Sequence, residues 1–155
     1  MILPQPIEKI LGILESYIPQ ASITNNLVST ASVSWHIAHT LKVLEATGST
    51  IQKTNPADYQ PTFSFLKLNA MLLGRFPRGK AKAPKFVLPE KEYTIEELQD
   101  LLATIKAIWS QVPALPTNAY IKHHLFGHLN KKNTIRFAVI HTMHHVKIVR
   151  DILKK

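Results

Sequence analysis

Apolar residues in this chain recur every three or four positions and nowhere alternate over a useful length, a pattern that selects helices over strands. Ile7, Ile10, Leu11, Leu14 and Ile18 predict an amphipathic helix over residues 5–18, with Pro6 in its first turn, where proline is tolerated. A second helix is expected to begin near Ser29 or Thr30 and to end at Gly48, which suits the left-handed position after a helix. Pro56 and Pro61 punctuate a loop, and a shorter apolar segment runs from about Phe63 to Leu73. The tract from Gly74 to Pro89 reads as irregular because it holds Pro77, Pro84 and Pro89. Thr94 and Glu97 form a capping box ahead of a helix that carries Leu98, Leu102, Ile105 and Trp109 and stops before Pro113. A loop rich in Pro, Asn and His leads to Asn130 and Asn133, both suitable caps, and a final helix runs to about Leu153. Four substantial helices, one short helix and long loops in a chain of 155 residues predict an all-α fold, a single-domain helical bundle over 1–155.

Composition removes several function classes. With no cysteine the chain has no disulfides, no thiolate metal ligands and no cysteine nucleophile. A 45% hydrophobic content excludes general disorder, and no apolar run approaches the roughly 18 residues of a membrane span. The start MILPQPIEKILG lacks a basic signal-peptide head, so a cytoplasmic location is expected, with no membrane among the partners. The formal charge of +9 reflects a shortage of acid, since no carboxylate occurs from Tyr59 to Pro89 or from Leu101 to Arg150. The first of these stretches holds GRFPRGKAKAPK, where Arg75, Arg78, Lys80, Lys82 and Lys85 would attract anions. No helix-turn-helix, RRM or finger pattern accompanies them, so nucleic acid is not the expected partner.

The eight histidines fall into three groups: His36 and His39; His123, His124 and His128; and His141, His144 and His145. His141 and His145 are four apart and share a helix face with Thr134, Phe137, Ala138, Ile148 and Ile152, so the pair sits on the apolar stripe. Two imidazoles in a core are costly unless each finds a partner. A metal ion taking one nitrogen from each neutral ring is one solution. The other is a network in which both rings hydrogen-bond to side chains, buried water or each other. A third ligand would come from a facing helix, and VSWHIAHTLKVLE offers His36 and His39, between which periodicity does not choose. Thr142 follows His141, so the Glu of a zincin is absent. The inward Glu-x-x-His set of a di-iron bundle is absent too.

SVSWHIAHTLKVLE, followed about a hundred residues later by HTMHHVKIVRDIL, resembles the DinB-like superfamily of four-helix-bundle proteins, often described as metal-dependent hydrolases. In that family one histidine of the second helix and the two of an H-x-x-x-H on the last helix bind one divalent metal. Carried over by motif, the ligands are His39, which follows Ile37 and Ala38 as the family pattern requires, with His141 and His145. GRFPRGKAKAP and HHLFGHLN resemble a subgroup with no assigned function, although His124 stands where proline is usual. The resemblance implies hydrolase or thiol-dependent transferase chemistry on a small molecule. The metal would be zinc or nickel, with manganese and iron also compatible with imidazole ligands.

Three neutral ligands leave a metal position open, where a water pKa falls toward about 7 or a small-thiol cofactor is held as thiolate. No carboxylate lies near His141 in sequence, so His36 and His144 are the candidates for proton transfer or support of the ligands. Arg75, Arg78 and Lys80 are the candidates for binding an anionic substrate. Bundles of this kind pair through apolar helix faces, which makes a homodimer a further expectation. The competing reading is a non-catalytic bundle that binds an anionic partner through its basic loop, with the histidines as a buried hydrogen-bond network.

Overall fold

The computed structural model describes residues 5–79 and 82–154. Among them the chain forms helices α1 (Gln5–Tyr17), α2 (Val33–Ile51), α3 (Phe65–Leu73), α4 (Ile95–Ser110) and α5 (Lys131–Leu153). Strands β1 (Tyr120–His123) and β2 (Gly127–Asn130) lie between α4 and α5. The antiparallel hairpin corrects the all-α expectation: the chain is mostly helical with a small two-stranded sheet. Each strand is four residues long, so the alternation that marks a strand has no room to repeat. The hairpin buries Ile121 and Leu129, paired across the sheet, and Phe126 in its turn.

The turn of the hairpin is built by a histidine. His123 Nδ1 accepts from the backbone N–H of Leu125 at 3.1 Å and of Phe126 at 3.3 Å, and its ring stacks on Phe126. Gly127 follows at φ 67°, the left-handed conformation that a three-residue hairpin loop needs. A Cβ there would also lie 2.3 Å from Thr62 Oγ1, which accepts from the His128 N–H.

Helix starts follow side-chain caps. Thr94 and Glu97 make the expected reciprocal box on α4, and Asn130 caps α5 by accepting from the Asn133 N–H. Helix α2 begins later than expected, because Ser32 rather than Ser29 or Thr30 accepts from the Trp35 N–H. It also continues past Gly48 to Ile51. Gly48 is a site of close approach rather than a terminus: a Cβ there would lie 2.7 Å from Ile108 Cγ2 and 2.8 Å from Trp109 Nε1. The buried Trp109 indole donates to the Leu44 carbonyl at 2.9 Å across this gap.

Helices α1 and α2 each pack on both α4 and α5, enclosing a core that includes Ile7, Leu11, Ile37, Leu41, Leu44, Leu98, Ile105 and Val149. Removing each such side chain from water contributes about 1.5–3 kcal/mol. Helix α3 touches this core only at its edge, through buried Ala70 and half-buried Met71, and ends at Gly74 in the left-handed conformation. Among the described residues no helix is long and apolar enough to cross a membrane.

Candidate metal centre

Helices α2 and α5 lie against each other and bring His39, His141 and His145 together. Each offers a ring nitrogen, and the three nitrogens lie within 4.8 Å of one another. His39 and His145 are buried; His141 is half-buried, with its Nδ1 shielded from solvent. No carboxylate joins this group among the described residues.

Each ring is held differently. His39 Nδ1 donates to the Val87 carbonyl at 2.8 Å, which leaves Nε2 as a lone pair. Trp35 stacks on its other side at 5.1 Å between ring centroids, one helical turn earlier on α2. His145 Nδ1 lies 3.0 Å from His36 Nδ1, and His36 Nε2 lies 3.0 Å from Ser29 Oγ. One proton arrangement along this chain has His145 donating to His36 and His36 donating to Ser29, and it frees His145 Nε2. His141 Nδ1 has no hydrogen-bond partner.

Electrostatics favour the neutral rings that metal ligation requires. Burial, then the nearby His39, His144 and Arg78, push His36 down to about 4. Burial lowers His39 against the opposing pull of the Val87 carbonyl. His141 is held well below its ordinary value by burial and then by His39, His144 and His123. Burial, followed by His141, His39 and His36, also holds His145 well below its ordinary value. Protonated, these rings would set like charges against one another out of water; neutral, they present lone pairs with too few protein donors to meet them.

The residues fit a divalent cation. The donor set is all imidazole, and the polar capacity of His141 is unmet by the protein. His39, His141 and His145 would each hold such a cation through one ring nitrogen.

The other expected site residues fall around this group. His36 touches His145 as above. His144 is half-buried, its ring 5.1 Å from that of His145 and nearly perpendicular to it. Burial and then Arg78 lower its pKa, against the carbonyl of Phe76. Arg75 and Arg78 line a cavity with His144, and Arg78 is ion-paired to Asp151 at 2.7 Å. Lys80 lies outside the described residues. The middle histidines do other work: His123 holds the hairpin turn, and His128 Nδ1 accepts from the Gln60 N–H at 3.2 Å beside Tyr120.

Sequence reasoning missed Ser29, Trp35, Phe76, Val87 and Lys147. Trp35 had a usable signal, since it precedes His39 by four residues on one helix. Val87 acts through its carbonyl, which no side-chain pattern reveals. Compared with family models, curated proteins and solved structures, the chain matches none.

Proposed function

We propose that the protein is a one-metal enzyme of the DinB-like kind, a hydrolase or thiol-dependent transferase whose ligands are His39, His141 and His145. The observation that carries this reading is the meeting of three neutral imidazoles from two helices within 4.8 Å, one with a buried ring nitrogen that no protein group satisfies. Zinc or nickel suits such a donor set, and manganese and iron remain compatible with it. When bound, the cation supplies Lewis-acid chemistry that activates water or a small thiol.

The chain's own residues then have separable tasks. The Val87 carbonyl orients His39 by accepting a hydrogen bond from its Nδ1–H. His36, backed by Ser29, accepts a hydrogen bond from the Nδ1–H of His145 and keeps Nε2 of that ring free. His144, neutral and on the wall of the cavity, is placed to accept a proton from a bound molecule. Arg75 and Arg78 give the cavity its preference for an anionic substrate.

Elemental analysis of protein purified without an affinity tag tests the reading. About one equivalent of a divalent transition metal is expected, and His141→Ala should lose it. Less than a tenth of an equivalent, with no tight binding on addition, would refute the metal site.

A further inference from the structure

Between the loop that follows α3 and the outer face of α5 lies a cavity of about 130 Å³. Its walls are Arg75, Phe76, Arg78, Ile140, His144 and Lys147, with Gly74 at the end of α3 allowing the chain to turn. Ile140, His144 and Lys147 are spaced four and three apart, so one face of α5 supplies half of the wall. Asp151, four residues beyond Lys147, continues that face and holds Arg78 at 2.7 Å.

The charge is one-sided. Among the described residues, three cationic side chains and no carboxylate line the cavity. Asp151 is shared between Arg78 and Lys154, so it offsets at most one of the three. Two positive charges remain, which match a dianion better than a single carboxylate. A phosphate monoester carries about −1.5 to −2 at pH 7, with three acceptor oxygens. The Arg78 guanidinium has five N–H donors, and Asp151 fixes it in place through one nitrogen while leaving others to donate. The volume sets the scale as well. Pockets for whole small molecules begin at about 300 Å³, so this one accommodates a charged group and not an entire ligand.

The location links that group to the histidines. The Phe76 ring, on the cavity wall, stands 6.5 Å from His141 and 6.3 Å from His144 between ring centroids. His144 is on the cavity wall and also against His145. Through Phe76 and His144 the cavity wall adjoins two of the three ligand rings, so a molecule held here by one end sits next to the ligand cluster.

We propose that this cavity binds a dianionic phosphate group, gripped by Arg75, Arg78 and Lys147, and that the substrate is a small phosphorylated molecule. The inference rests on the proposed metal enzyme only in assigning the phosphate to a substrate. The cavity and its charge stand without it.

Titration of inorganic phosphate into the full chain at low salt, followed by calorimetry, tests the proposal on both chelator-treated and zinc-loaded protein. The expected result is saturable binding of one equivalent to both forms, with acetate at least tenfold weaker. Lys147→Ala and Arg75→Ala should each weaken phosphate binding by tenfold or more, while His141→Ala leaves it unchanged. Lys147 and Arg75 are exposed, and circular dichroism would verify that the variants are folded. Binding that ignores both substitutions, or no saturable binding, overturns the proposal. Equal affinity for acetate overturns the choice of phosphate. Phosphate bound only to the zinc-loaded form and lost in His141→Ala would mean the anion sits on the metal, which overturns this cavity and leaves the metal reading intact. Phosphate binding by a chain that takes up no metal would remove the metal reading and leave this one.

Discussion

Zinc added to the chelator-stripped protein should raise its melting temperature, by an amount that follows from how the ligands are placed. His39 comes from α2 and His141 and His145 from α5, so the unfolded chain, with about a hundred residues between the two segments, has no preformed three-imidazole site. Binding to the folded state alone adds RT ln(1 + [L]/Kd), about 2.7 kcal/mol at free zinc one hundred times Kd. For a domain of this length each kcal/mol moves the midpoint by about 2–4 °C, so an upward shift of about 5–11 °C is expected. The folded ligands are already neutral because their pKa values lie below the ordinary 6.5, so little proton release opposes zinc near pH 7. Scanning fluorimetry with stepped zinc measures the shift. The His141→Ala variant controls for zinc bound elsewhere, since it keeps His123, His124 and His128. A wild-type midpoint that ignores saturating zinc, or a variant that shifts as far as the wild type, would refute the reasoning.

Two further predictions concern the folded scaffold. In the metal-free protein, His36 and His123 have folded pKa values pushed down to about 4, so their stabilising effect is complete above pH 6.5 and lost as the pH falls from there toward 4. The unfolding free energy from urea titrations should drop over that window, by up to about 1.4 kcal/mol per pH unit for each such histidine; constant or rising stability on acidification would contradict this. Gly48→Ala should destabilise despite a gain of about 1 kcal/mol in helix propensity, because overpacking against the buried Trp109 costs about 1–3 kcal/mol; a urea midpoint above wild type would show that α4 yields there.

The helices were legible wherever a local rule decides them. The Thr94–Glu97 box and the Asn130 cap start α4 and α5 through contacts three residues apart, and the apolar period of α1 carries its own answer. Gly48 was misread because a helix-ending glycine and one that admits a neighbouring helix look the same in sequence; only the approach of Trp109 separates them. The hairpin escaped for a related reason. Its turn is stabilised by the His123 ring rather than by an Asn-Gly pair, and its strands are too short to show a period. At the site, the four-residue spacing placed His141 and His145 on one face, but periodicity left His36 and His39 open. Both are buried, and they divide the work: His39 joins the three-nitrogen group, and His36 stands behind His145. That division depends on Val87 and Ser29, which reach the site from loops distant in sequence or without any distinctive residue pattern.

The case for a cation also has a basis in polar satisfaction, independent of any family resemblance. Buried polar atoms in folded proteins almost always have hydrogen-bond partners, so an unmet one calls for a cause. The histidines away from the cluster supply no such case: His123 accepts two backbone amides, His128 accepts one, and His124 is exposed. His36 bridges Ser29 and His145. Among the described residues, the two buried side-chain atoms left without partners are His141 Nδ1 and the hydroxyl of Thr142, which directly follows it in α5. A purely structural network would be expected to engage every ring of the group. Here Val87 and His36 engage His39 and His145 through Nδ1, while the shielded Nδ1 of His141 has no protein partner, so one of the three rings is left for a partner the protein does not itself supply.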